Sequence, residues 1–239
     1  MNDKKSQRIG SILGKEYLES AFLFAQLAEN IESLPREDKR FSWIVHKSFV
    51  KSSVIASACY MEATINEWYS MCEGKMNSKN KDALKAMAAL WNLGIPRTAS
   101  YPILKKYQIA LVQLGITDFE EGLEPYQSAN SVIDLRNWLV HYELSMEPVE
   151  TEESLSEYKA HKLRKKLRGK FPLNPLCAET APFWPIKCLG SGCAFWAARS
   201  SFVFVDEFFK KTAHNHFLRV DESRINEIRQ IAVNFMQQH

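Results

Sequence analysis

Glycine and proline are scarce in this chain. Nine of each occur in 239 residues, about 7.5% together against the roughly 12% of average usage. β-Sandwiches, barrels and propellers require a Gly/Pro/Asn turn every 8–12 residues or so, and nucleotide-binding α/β domains require a glycine-rich phosphate loop. Neither requirement is met: no G-x-G-x-x-G or G-x-x-x-x-G-K-[ST] occurs, and the closest glycine pair is Gly190-Ser191-Gly192. With 46% hydrophobic and 25% charged residues, the chain is ordinary globular material, long enough to bury a core as a single large domain. The expected fold class is all-α.

Apolar residues recur at helical spacing through most of the chain. A first helix is expected over 11–34, with Leu13, Tyr17, Phe24, Leu27 and Ile31 as its stripe and Pro35 at its exit. A long second helix over 42–73 carries Val50, Val54, Ala58, Met61, Ile65, Trp68 and Cys72 at steps of four and three, with small residues Ala56, Ser57 and Ala58 at its middle. Shorter helices follow over 81–93, ended by Gly94 and Pro96, and over 102–114, closed by Gly115. The next spans 126–143. A basic helix over 155–168 ends at Gly169, and the stretch after it holds Pro172, Pro175, Pro182 and Pro185, which disfavour regular structure. Two closing helices, 192–213 and 221–237, complete an up-and-down bundle. The core would comprise about 11–143 and 188–237, and 144–187 would be an insertion.

Net charge is only +3, but it is unevenly spread. Residues 143–158 hold six acids and no base, and 159–170 hold seven bases and no acid. Five cysteines without C-x-x-C spacing, and an N-terminal MNDKKSQRIG without an apolar stretch, point to a reducing cytoplasm. The most apolar run, 194–205, contains Arg199 and two serines and falls short of the roughly 18–20 residues of a membrane span. No membrane association is expected.

The segment Asp134-Leu-Arg-Asn-Trp-Leu-Val-His-Tyr-Glu143 carries the most chemistry. On a helical wheel Val132, Leu135, Leu139 and Tyr142 form one apolar stripe, with Trp138 beside them, directed at the core. Ile133 and Val140, about 20° apart on the wheel, make a second seam. Arg136 flanks that seam on one side, and Asn137 and His141 flank it on the other. A helix that is apolar on two faces needs cover on both, from this chain or from a second copy. Histidine can act as base and then acid near neutrality, and the arginine fork fits phosphate oxygens. Asn137 and His141 are one turn apart, so the amide can orient the ring or the substrate. Arg136 and His141 diverge on a single helix; a two-fold axis along Ile133 and Val140 would bring two sets into one cleft.

Arg136-Asn137-Trp138-Leu139-Val140-His141 resembles the Arg-polar-x-x-x-His motif of HEPN domains (higher eukaryotes and prokaryotes nucleotide-binding), all-α bundles that include many metal-independent ribonucleases. Upstream, Glu62-Ala63-Thr64-Ile65-Asn66 resembles the Glu-Ala-x-x-Asn stretch on an earlier helix of some members. The resemblance covers about 11–143 and one closing helix and leaves 144–187 unaccounted for. It implies a homodimeric endoribonuclease needing no cofactor or metal, in bacterial growth arrest or phage defence. Arg136 would contact the scissile phosphate, and His141 would move the 2′-hydroxyl or 5′-oxygen proton. Asn137 would hold His141 or the phosphate, and Glu62, supported by Asn66, would position Arg136. Some toxins of the family carry a modifiable tyrosine two residues after the histidine; this chain has Glu143 there, so that regulation does not carry over.

Blander readings stand beside these. Arg136, Asn137 and His141 would then be a surface arginine and a satisfied histidine in a non-catalytic module that binds RNA, nucleotide or a partner protein. Glu62 and Asn66 would be a polar link between helices. Lys162, Arg164, Lys165, Lys166 and Arg168 are either a solvated face paired with the preceding acids, a weak RNA-tracking patch, or a docking surface for an antitoxin or another defence component. Cys188, Cys193, His214 and His216 match no common zinc spacing. The aromatics between Phe195 and Phe209 read as core, and Trp184 as an anchor for the Pro-rich loop.

Overall fold

The computed structural model describes residues 12–72, 80–95, 101–141, 159–212 and 218–238. The fold is all-α, with no strand among the described residues. Its helices are α1 (Leu13–Glu32), α2 (Trp43–Ser70), α3 (Lys81–Asn92), α4 (Ile103–Gln113), α5 (Tyr126–Val140), α6 (Lys159–Leu167), α7 (Ser191–Lys211) and α8 (Glu222–Gln238). No helix among the described residues is long and apolar enough to cross a membrane.

α2 is the axis of the bundle. Its 28 residues span about 42 Å, and α1, α7, α5, α4 and α3 all pack on it. Val50, Val54, Ala58, Met61, Ile65, Trp68 and Cys72 are fully buried, as their spacing predicts. Its small residues admit close neighbours. The Ser53 hydroxyl donates to the Ala21 carbonyl at 2.8 Å, the Ser57 hydroxyl donates to the Ser53 carbonyl at 2.7 Å, and both serines are buried.

α1 is rotated relative to its expected stripe. Leu27 and Ile31 are buried, but Tyr17 and Phe24 are half-buried and Leu13 is exposed; the core face is Leu18, Ala21, Phe22, Ala25 and Ala28. Alanine lets the backbones of α1 and α2 approach, so the contact is made where side chains are smallest rather than most apolar. At the helix start, a Cβ on Gly14 would lie 2.6 Å from Thr64 Oγ1. Glu67 uses that proximity: its Oε1 accepts from the N–H groups of Leu13 (2.6 Å) and Gly14 (2.9 Å), covering donors left open at a helix N-terminus.

The aromatic face of α7 is core. Phe204 and Phe208 each meet Tyr107 edge-on at 4.9 Å between centroids, and Phe208 meets Trp68 at 5.4 Å. The Tyr107 hydroxyl donates to the Met61 carbonyl at 2.7 Å, so α4, α2 and α7 share one polar and one apolar junction.

The segment between α6 and α7 folds onto the bundle. Leu163 and Leu167 bury one face of α6. Beyond it, Phe183–Lys187 forms a wide five-residue turn within the Pro-rich stretch where sequence favoured none, although Trp184 itself is extended. Asn174 closes this stretch: its N–H donates to the Lys187 carbonyl (2.8 Å), its Nδ2 to the Leu189 carbonyl (3.0 Å), and its Oδ1 accepts from the Leu176 N–H (3.0 Å). Trp184 is buried and packs against Trp138 of α5 with centroids 4.5 Å apart.

Candidate functional site

α5 places the motif residues in different environments. Val132 and Leu135 are fully buried, Leu139 is half-buried, and Tyr142 lies outside the described residues. The helix ends at Val140, three residues before its expected end. His141 is the C-cap, with φ −107° and ψ 43°, and its N–H donates to the Asn137 carbonyl at 2.9 Å. That bond has the i→i−4 spacing of the helix, so the His141 Cα stays in register with α5 while the residue's own dihedrals leave the helical region. His141 and Asn137 are exposed, and no side-chain hydrogen bond joins them among the described residues. Ile133 is half-buried against the core, whereas Val140 is 51% exposed. The second seam is thus open only toward its C-terminal end.

Arg136 turns toward α2. Its Nη2 lies 3.8 Å from Glu62 Oε2, with the two side chains 23% and 35% exposed. Glu62 Oε1 lies 3.5 Å from Lys106 Nζ, and that ammonium donates to Asn66 Oδ1 at 3.0 Å. One carboxylate from α2 therefore lies between a cation from α4 and a cation from α5. Both separations are long for hydrogen bonds, so Glu62 balances charge while leaving the arginine's donors largely available. Arg136 Nε is buried and has no acceptor among the described residues. Formal charge over Glu62, Lys106 and Arg136 is +1, in a partly buried setting where charge is weakly screened. Cys59, one turn before Glu62, adjoins the cluster. Burial raises its thiol pKa, the Arg136 charge opposes that rise, and the Glu62 charge adds to it.

Lys106 did not emerge as a candidate from sequence, yet it is the most buried charged side chain of the cluster, 1% exposed. A signal was present. Ile103, Tyr107, Ala110, Leu111 and Leu114 form the apolar stripe of α4, and Lys106 falls on the same stripe. A lysine at a core position needs polar partners within reach, and the half-buried Glu62 and Asn66 of α2 provide them.

The basic residues of 159–170 are divided. Lys162, Lys165, Lys166 and Arg168 are exposed, and Arg164 is half-buried. Lys166 Nζ lies 2.9 Å from Asp134 Oδ2, and Lys170 Nζ lies 3.0 Å from Glu124 Oε1. The Arg168 guanidinium sits over the Phe183 ring at 5.5 Å. The acids expected to face this run, 143–157, lie outside the described residues. Among the described residues no group of three or more potential metal ligands converges. Cys188 and Cys193 are buried and hydrogen-bonded to each other, which together with burial pushes the Cys193 thiol well up; His214 and His216 lie outside the described residues. No protein-family model, curated protein or solved structure significantly matches this chain.

Proposed function

We propose that this chain is a metal-independent endoribonuclease of the HEPN type, working as a homodimer in growth arrest or antiviral defence. The observation that carries the reading is the Glu62-centred cluster. The two upstream residues that share the family's spacing, Glu62 and Asn66, lie with Lys106 and the motif arginine in one net-positive group, and Arg136 retains an unpartnered buried N–H. The Arg136 side chain as a whole is 23% exposed and Glu62 stands 3.8 Å from its Nη2, so a phosphodiester oxygen is a fitting acceptor for its terminal N–H groups.

In this reading Arg136 binds the scissile phosphate and stabilises charge as its phosphorus becomes pentacoordinate. His141 takes the proton of the ribose 2′-hydroxyl, whose oxygen attacks phosphorus; the P–O5′ bond breaks, and the 5′-oxygen is protonated by an imidazolium, that of the same or the second copy. The products are a 2′,3′-cyclic phosphate and a 5′-hydroxyl. The end groups test the chemistry: RNA digested in EDTA should carry cyclic phosphate at every new 3′ end. A 3′-hydroxyl at the cut would contradict the reading.

The alternative is a non-catalytic helical module that binds RNA, nucleotide or a partner protein. It draws on the exposure of His141 and on the absence, among the described residues, of a side-chain bond between His141 and Asn137. A protein that binds RNA but leaves it intact under all these conditions would support it.

A further inference from the structure

We propose that a pocket between the start of α2 and the Pro-rich segment binds an organic phosphate: a phosphate monoester on an apolar body. The pocket holds about 540 Å³, within the range of small-molecule sites, and shares no lining residue with the Glu62 cluster. One wall is cationic. Trp43, Lys47 and Lys51 recur every four residues on one face of α2, and Arg36 joins them from the preceding loop. The opposite wall is apolar, formed by Leu176, Ala181, Pro185, Ile186 and Leu189.

The charges on this wall are uncompensated from within. No carboxylate lines the pocket, and neither Lys47 nor Lys51 forms an ion pair among the described residues. The neighbouring Glu32 is already engaged by His46 Nε2 (2.7 Å) and the Ser191 N–H (2.7 Å). Arg36 is held in place, its Nη2 donating to the Leu176 carbonyl at 2.7 Å. Both Arg36 (5.9 Å) and Lys47 (5.8 Å) lie over the Trp43 ring. Three cations around one mouth repel one another, and a dianionic phosphate relieves that repulsion while an apolar body fills the space toward Ile186 and Leu189. A bare anion would leave the apolar wall uncovered, and an uncharged ligand would leave the cations uncovered.

The test is calorimetric titration of the full chain with 2-naphthyl phosphate, with 2-naphthol and inorganic phosphate as the two halves of the probe. Naphthyl phosphate should bind at least tenfold more tightly than either half. The double variant Lys47→Glu/Lys51→Glu should weaken it more than tenfold. Ala181→Trp, which fills the pocket without changing charge, should do the same, and both variants should melt within a few degrees of the parent. Absence of binding at millimolar probe, or equal affinity in correctly folded variants, overturns the proposal. So does an RNA oligonucleotide that loses affinity in the lysine variant while naphthyl phosphate never binds, because the wall would then track nucleic acid. Where naphthyl phosphate binds as expected and the α5 reading also holds, RNA cleavage by the Lys47→Glu/Lys51→Glu protein is unaffected, so the two readings can fail separately.

Discussion

At the scale of single residues, the Glu62 cluster makes an asymmetric prediction. Glu62 partners two cations, one of them 1% exposed, so Glu62→Gln leaves the Lys106 ammonium buried without a counter-charge. That should cost about 3 kcal/mol, a fall of roughly 6–12 °C in melting temperature for a chain of this size. Lys106→Met leaves Glu62 with Arg136 and with water, so it should cost less, on the order of 1 kcal/mol. Thermal melts of the two variants check the order; a larger loss for Lys106→Met would contradict it. Lys106→Met should also slow RNA cleavage, because Glu62 would then neutralise Arg136 alone. The Arg136 to Glu62 proximity was expected only as something the family resemblance implies, not from residue types or spacing. The position of Lys106 was legible only in retrospect, since a lysine on an apolar stripe is equally the pattern of a side chain that snorkels to solvent. The rotamer of His141 was not legible at all, because it depends on where α5 ends.

At the scale of elements, the helix boundaries were nearly all readable, since the punctuating residues act where the backbone needs them. Gly94, Gly115 and Gly169 follow α3, α4 and α6 with φ of 87°, 68° and 76°, the left-handed region that ends helices at glycine. The face of α1 was misread because pattern reading weights large apolar residues, whereas α1 meets α2 through alanines. The wide turn at 183–187 was missed because proline forbids an interior helix but permits a short turn. Close approach also governs the start of α7: a Cβ on Gly192 would lie 2.4 Å from the Pro172 carbonyl oxygen. Gly192→Ala should therefore destabilise by about 1–3 kcal/mol, seen as a lower denaturation midpoint; an unchanged midpoint would show that the Pro-rich segment yields freely.

The tie between α7 and the approach to α8 responds to pH. Asp206 Oδ1 accepts from Arg219 Nε at 2.7 Å, and its Oδ2 lies 3.0 Å from Lys210 Nζ. Burial disfavours the Asp206 carboxylate, but the hydrogen bonds and charges of Arg219 and Lys210 outweigh it and hold the pKa below its ordinary value of 3.8. A group depressed on folding contributes stability above its unfolded pKa and loses it as pH falls through the folded value. Asp206→Asn should thus lower the melting temperature by about 2–4 °C at pH 7, with the gap to the parent closing as the pH drops below about 3.8. A gap that persists in acid would assign the loss to packing.

At the scale of the whole molecule, the all-α class followed from the scarcity of glycine and proline, and the charge segregation acquired a structural meaning. Part of the basic run is spent on α5 and the loop before it, through Lys166 to Asp134 and Lys170 to Glu124. Charge reversal at Arg164, Lys165 and Arg168 separates an RNA or protein docking role from a scaffolding one. Only a need for cover along Ile133 and Val140 was legible, and the chain meets half of it internally, at Ile133. Val140 and His141, its neighbour in the chain, are both exposed at the C-terminal end of α5. If the active cleft is composite, mixing the inactive Arg136→Ala and His141→Ala proteins should restore up to about a quarter to a half of parental activity through hybrid dimers; no recovery, despite exchange of subunits, would place each site within one chain.

The most direct measurement is the single-turnover cleavage rate of RNA in EDTA by the parent protein and by His141→Ala and Arg136→Ala, each confirmed folded by its melting profile. The account predicts cleavage by the parent and a loss of about 100-fold or more in each variant. RNA left intact by the parent, or cut at an unchanged rate by His141→Ala, would contradict it.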